Sequence, residues 1–403
     1  MIVIAPEISA VSDTAITICC ATADDDSHPR PHDVEVVLKP AEGGPARRVH
    51  LPADEADPES GLRQVTIDGL EPGTDYEVDI HGNGHTALPD LVFFPNEVRT
   101  LDSPPGERIC TIATVSDLHF GEEVCGLGPS GRETPVFRAR DEDPPYWHYM
   151  NHAIVDEIAK AGVDAVVVKG DITGDGHAHE FESAREAFDR LPMPWHSVMG
   201  NHDRMQDGVD GFALLGQPDD PARAVDVDGV RLVLVDTVDP GRDGGTLPPD
   251  RRGALADVLA DGHGAPTLAF AHHYTSSPKK RTKKAFGLSR PDSEALLSML
   301  AAHPEVGGFF AGHTHRNRVR RFAETGAMPH GEVCATKDYP GAWASYRVHE
   351  GGYVQQVHRC GAPRALAWSH RAKDMYFGLY RAYAIGTLAE RCFSYRWDAR
   401  DRG

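Results

Sequence analysis

No stretch of the 403-residue chain approaches the roughly 18 consecutive apolar residues that a membrane-spanning helix needs, so no membrane partner is expected. Cysteine is scarce: seven residues, an odd number, with no C-x-x-C pair and with Cys19 directly beside Cys20. That usage disfavours a disulfide framework or a thiolate zinc site, and makes a reducing cytoplasm the expected compartment. Positive charge is also short. Lys plus Arg number 41 against 61 Asp plus Glu, a net charge of −20. Nucleic-acid backbones would be repelled over most of such a surface and are not expected partners. No basic segment precedes the short apolar run MIVIAPEIS, so no secretory signal is expected. What is present is ordinary for a folded protein: 40% hydrophobic and 25% charged residues, on a chain long enough for two or three domains.

The first hundred residues read as all-β. Alternating stretches at 15–19 (AITIC), 33–39 (DVEVVLK) and 62–67 (LRQVTI) are separated by turn-rich segments. The run 69–80, GLEPGTDYEVDI, is a Pro-Gly turn entering an alternating strand with Tyr76 near its start. It resembles the tyrosine corner of a fibronectin type III or related sandwich, although the Trp of an early strand is missing. A β-sandwich over 1–101 is therefore expected, followed by a linker, LDSPPGE.

From Arg108 onward short apolar runs alternate with helical periodicity, the pattern of an α/β layer fold. Strands are expected at 109–116, 164–168, 195–199, 230–235, 266–271 and 306–310. Helices are expected near 147–161, 179–191, 250–261 and 292–302. Asp228-Gly229 marks a hairpin, so the sheet should be mixed rather than all parallel. Residues 120–146 read as a long loop, a lid or specificity element. An aromatic-rich extension over 361–403 contains one helix candidate at 374–393.

Chemistry-bearing residues follow the strands. Asp117 and His119 follow the first, Asp171 the second, and Asn201, His202 and Asp203 the third. His272 and His273 follow a later strand, and His313 and His315 the last. The C-terminal edge of an α/β sheet is where loops with free backbone groups converge on ligands. Carboxylate, imidazole and amide oxygen suit Mn, Fe, Zn, Co or Ni. Seven candidate ligands are too many for one ion but suit two that share a carboxylate. Such a pair clamps the attacking and leaving oxygens of a phosphoryl group.

The ordered series DLH, GDITG, GNHD, HH and GHTH, over 108–360, resembles the calcineurin-like metallophosphoesterase superfamily. With SDLHFG and TKDYPG it is most similar to the branch of class III cyclic-nucleotide phosphodiesterases and glycerophosphodiesterases. The resemblance implies two mixed β-sheets flanked by helices, and two divalent metal ions, Mn, Fe or Zn. By the same resemblance Asp117, His119 and His315 would hold one metal, and Asn201, His272 and His313 the other, with Asp171 bridging. His202 would face the substrate and protonate the leaving group, with Asp203 orienting it. The fourth motif leaves His273 as an alternative to His272. Gly174 stands where Asp or Asn is common.

The expected activity is hydrolysis of a small phosphate ester by a hydroxide shared between the metals. A phosphodiester leads, either a cyclic nucleotide or a glycerophosphodiester. Phosphomonoesters and nucleotide pyrophosphates are the alternative, and a noncatalytic scaffold is less favoured. Four of the nine lysines fall within 279–284, either an electropositive funnel or a solvated loop. His177 with His179, and His148 with His152, are read as rim residues rather than a third metal site. Tyr146-Trp147 would anchor the long loop or stack on a ring. The aromatic tail would cover the α/β part or join a homo-oligomer.

Overall fold

The computed structural model describes residues 2–25, 28–90, 92–127, 133–276 and 286–402. The lysine cluster at 279–284 lies outside the described residues. The N-terminal part consists of β1 (Ile2–Val11), β2 (Ala15–Ala23), β3 (Val34–Pro40), β4 (Arg47–Leu51), β5 (Arg63–Asp68), β6 (Asp75–Gly82), β7 (His85–Thr86) and β8 (Glu97–Arg99). β1, β2 and β5 make one antiparallel sheet. β4, β3, β6 and β7 make the other, with β8 also paired to β6. Alternation explains the packing. In β6, Tyr76, Val78 and Ile80 turn inward while Asp75, Glu77 and Asp79 face out. The Tyr76 hydroxyl accepts a hydrogen bond from the Glu71 amide at 3.1 Å, which closes the corner before β6.

β2 departs from alternation: all nine of its residues are buried. Cys20 points into the sandwich core, while Cys19 and Ala21 pack with Leu62 against Leu366 of the later chain. Adjacent residues of a strand face opposite sides, which is why neighbouring cysteines sit in different cores as free thiols.

Beyond the linker come β9 (Arg108–Val115), a hairpin of β10 (Cys125–Leu127) and β11 (Glu133–Phe137), α1 (Tyr146–Lys160), β12 (Ala165–Lys169), α2 (Ala178–Phe188) and β13 (Trp195–Val198). Next come α3 (Gly211–Leu215), β14 (Ala222–Val227), β15 (Val230–Val235), α4 (Pro249–Ala260), β16 (Thr267–Ala271), α5 (Arg290–Ala301) and β17 (Val306–Ala311). The chain continues through β18 (Arg318–Arg320), β19 (His330–Glu332), β20 (Ala342–His349) and β21 (Gly352–Arg359). It ends in α6 (Pro363–Ala372), α7 (Tyr380–Ile385), α8 (Leu388–Arg391) and β22 (Phe393–Arg396).

These strands form two six-stranded mixed sheets, ordered β13-β12-β9-β20-β21-β22 and β14-β15-β16-β17-β19-β18. Their facing sides enclose Ile112, Val167, Leu234, Phe270, Phe310 and Tyr346. α1, α2 and α6 cover the outside of the first sheet, and α4 and α5 the outside of the second. Central strands are buried on both faces, so they read as continuous apolar runs. Asp228 and Gly229, both at positive φ, make the two-residue turn between β14 and β15.

Two expectations are corrected. The long loop contains the β10–β11 hairpin and ends in an anchor: Tyr146 is fully buried and stacks on Trp368 at 4.4 Å. The single helix expected over 374–393 is instead a left-handed turn at Tyr376 and Phe377, then α7 and α8. Gly386 breaks the run at φ +63°, where a side chain would strike the Asn317 carbonyl. The extension then returns as β22 to pair with β21.

The sandwich is tied to the α/β body through a buried charge. Glu7 of β1 pairs with Arg359 of β21 at 3.0 Å and accepts the Tyr339 hydroxyl at 2.6 Å. Burial alone would raise the Glu7 pKa, but Arg359 and Tyr339 outweigh it and hold it below the ordinary carboxylate value. Its contribution is therefore fully present above the unfolded-state pKa and is lost as pH falls through the lower folded one. Glu7→Ala, which strands Arg359, should cost about 3–5 kcal/mol in denaturant unfolding at neutral pH. That deficit should shrink on acidification below pH ~4. A pH-independent difference would rule out the charge as the cause.

Candidate metal centre

The motifs meet where the C-terminal ends of β9, β12, β13, β16 and β17 abut. Lys169, the charged last residue of the otherwise apolar AVVVK strand, makes that junction. Its buried ammonium donates to the Ala311 carbonyl at 3.0 Å, tying the end of β12 in one sheet to the end of β17 in the other. Burial pulls its pKa down to about 8. Five of the predicted residues sit at positive φ: Asp117 (54°), His119 (45°), Asp171 (47°), His313 (70°) and His315 (52°). Left-handed backbone is uncommon for such residues, and it turns each side chain sharply off its strand end. Gly312 permits close approach, since a Cβ there would lie 2.7 Å from both Asp117 Oδ2 and Ser116 Cβ.

Asp171 lies in the middle. Its Oδ2 is 3.7 Å from His119 Nε2, and its Oδ1 is 3.3 Å from His272 Nε2. On one side Asp117 joins His119 and His315, with His315 Nε2 3.5 Å from Asp117 Oδ1. On the other, His272 Nε2 lies 3.2 Å from both Asn201 Oδ1 and His313 Nδ1. Among the described residues, the groups whose donor atoms converge are drawn from these residues together with His202 and His273. All seven predicted ligands are thus brought together.

Outer contacts fix which ring nitrogen faces inward. His272 Nδ1–H donates to the Lys169 carbonyl at 2.8 Å, leaving Nε2 for the centre. His315 Nδ1–H donates to Asp338 at 3.0 Å. His119 Nε2 is buried with no hydrogen-bond partner, an orphan that a cation would satisfy. Both ring nitrogens of His273 are engaged, by Thr237 Oγ1 at 2.9 Å and the Asp243 carbonyl at 3.2 Å. That leaves His272 as the better donor. Burial, with neighbouring cations or histidines, holds His119 and His273 well below the usual imidazole value and His313 at about 3. Burial also pulls on His272, but Asp171 outweighs it and raises it to about 9. Asp171, against its own burial, is held well below the carboxylate range by His272 and His202. Two sets of nitrogen and oxygen donors facing each other across Asp171 at these distances form a fitting cage for divalent cations.

Asp203 does not contact the His202 ring as expected. The His202 ring is oriented by the Gly174 carbonyl, 2.6 Å from Nδ1. Asp203 turns away from it and accepts from Gly200 N at 2.7 Å, Thr173 N at 2.8 Å and Thr173 Oγ1 at 2.7 Å. The two residues lie in a 3₁₀ turn, which sends consecutive side chains apart. Burial, then Asp171, pushes the Asp203 pKa up to about 6. Sequence reasoning gave no role to Lys169, Asp338 or Glu122, whose Oε2 is 3.5 Å from His119 Nδ1. A lysine ending an apolar strand was a readable signal for the first, and the TKDYPG motif contained the second without revealing its task; Glu122 had none.

Comparison with known proteins agrees with this geometry. Residues 110–317 match the calcineurin-like phosphoesterase family, and the chain belongs to it. Curated relatives include a probable cyclic nucleotide phosphodiesterase of Synechococcus sp., 24% identical over 213 residues, 51% of this chain and 80% of that protein. A 3',5'-cyclic adenosine monophosphate phosphodiesterase of Pseudomonas aeruginosa is 28% identical over 173 residues, 42% of this chain and 61% of that one. A glycerophosphodiester phosphodiesterase of Enterobacter lignolyticus is 26% identical over 166 residues, 40% and 59% of the two chains. The match thus spans about three fifths of the latter two relatives. The family is one of phosphoesterases that use divalent metal ions. Among the described residues no helix is long and apolar enough to cross a membrane.

Gly312→Ala should crowd Asp117 and cost about 1–3 kcal/mol. It should also reduce the rise in melting temperature that added Mn²⁺ gives. An unchanged Mn²⁺ response would show that this approach is not required.

Proposed function

We propose that the chain is a binuclear metal-dependent phosphodiesterase acting on a cyclic nucleotide or a glycerophosphodiester. The observation that carries this reading is Asp171, whose two carboxylate oxygens face two separate sets of donors. In it Asp117, His119 and His315 would hold one cation and Asn201, His272 and His313 the other, with Asp171 shared between the two sets. Mn, Fe and Zn all suit this donor set. When bound, the ions would acidify a water and neutralise charge on the phosphoryl oxygens.

The remaining roles belong to side chains. His202, with Nδ1 on the Gly174 carbonyl, has Nε2 available to give a proton to the departing alkoxide. Asp203 holds the turn that carries it by gripping the backbone of residues 172, 173 and 200. The names of the three relatives support a diester over a phosphomonoester or nucleotide pyrophosphate, the second reading.

The strand arrangement and the Tyr76 corner support a fibronectin type III-like sandwich over 1–101, before a catalytic domain at 108–360 and the extension. Free, buried cysteines are compatible with a cytoplasmic setting.

Metal content should be two ions per chain, falling at both positions in Asp171→Asn; loss of only one would remove the bridge. His202→Ala should keep its metal while turnover drops about 10²–10⁴-fold. The decisive assay compares cyclic nucleotides, glycerophosphodiesters, a monoester and a pyrophosphate under Mn²⁺, Fe²⁺ and Zn²⁺. A metal-replete protein that hydrolyses none of them would overturn the enzyme reading.

A further inference from the structure

The tripeptide Lys337-Asp338-Tyr339 lies beside the metal centre and is held from several directions. Asp338 is 2% exposed. One of its carboxylate oxygens accepts from His315 Nδ1 at 3.0 Å, and the other accepts the Tyr380 hydroxyl at 2.9 Å. Tyr380 is itself buried, on α7 of the C-terminal extension. Trp368 of α6 donates its indole N–H to the Lys337 carbonyl at 2.9 Å. The Lys337 ammonium pairs with Glu122, the carboxylate beside His119. Tyr339 reaches Glu7 of the sandwich.

A ligating imidazole must present one nitrogen at a fixed angle, and the partner of its other nitrogen sets tautomer and ring orientation. A carboxylate partner can itself swing unless its second oxygen is also held. Here that oxygen is held by a tyrosine from the last fifty residues. We propose that Asp338 and Tyr380 are positioning residues of the metal centre: Tyr380 fixes Asp338, and Asp338 fixes His315 toward Asp117. This rests on the metal-centre reading above. It gives the aromatic extension a task at the site rather than one of cover alone. His272 has no such relay, since its Nδ1 leans on the rigid backbone carbonyl of Lys169.

The test uses the full chain and Mn²⁺ as the probe, with binding followed by electron paramagnetic resonance during chelator competition. Asp338→Asn should weaken Mn²⁺ binding about 10- to 100-fold. Tyr380→Phe, which removes only the hydroxyl, should weaken it several-fold while the melting temperature in chelator stays close to wild type. Because Tyr380 acts through Asp338, the double variant should bind no more weakly than Asp338→Asn. Turnover of each variant should return toward wild type as Mn²⁺ is raised. If Asp338→Asn fails to fold, Tyr380→Phe alone decides. Wild-type Mn²⁺ affinity in a folded Tyr380→Phe protein, or additive losses in the double variant, would overturn the relay. A wild-type protein that binds no Mn²⁺ would instead overturn the metal-centre reading, and the relay with it.

Discussion

Mutual repulsion among buried electron pairs is the constraint around which this protein is arranged. Asp117, Asp171, His119 and their neighbours turn oxygen and nitrogen lone pairs toward a common space with little solvent to screen them. Alone, such an arrangement would be unfavourable, and cations relieve it. Until they bind, the protein must supply rigidity. It does so with left-handed backbone at five positions, backbone amides directed at Asp171 and Asp117, and a buried lysine that ties the two sheets together just beneath.

The outer parts of the chain serve the same end. The sandwich approaches through Glu7 and the C-terminal extension through Trp368 and Tyr380, and all three reach the short segment 337–339. These contacts are polar and buried, so each depends on its partner being in place. A region that looks accessory in sequence thereby becomes part of the frame around His315.

Legibility in the sequence followed the physical scale of each feature. Central strands such as 230–235 and the hairpin at Asp228-Gly229 were readable, because burial on both faces and a two-residue turn leave local signatures. The candidate ligands were readable because each follows the end of a strand. The TKDYPG motif marked Asp338, but its role was not readable: it sits in an irregular segment, and that role depends on contacts with residues 23 and 42 positions away. The break in the 374–393 helix also escaped, since two isolated glycines within an aromatic, helix-compatible pattern do not announce a turn. Asp203 failed for a subtler reason. The resemblance implied that Asp203 orients the His202 ring, whereas the tight turn carries these neighbours to opposite sides.

The two-sided burial of β2 carries one more implication. Cys19 and Ala21 face Leu366, so excising residues 1–101 would lay bare an apolar seam on what remains, and would also unseat Arg359 and Arg391. The leading region is thus no interchangeable cassette. Recombination that swapped it for an unrelated sandwich would have to recreate that seam.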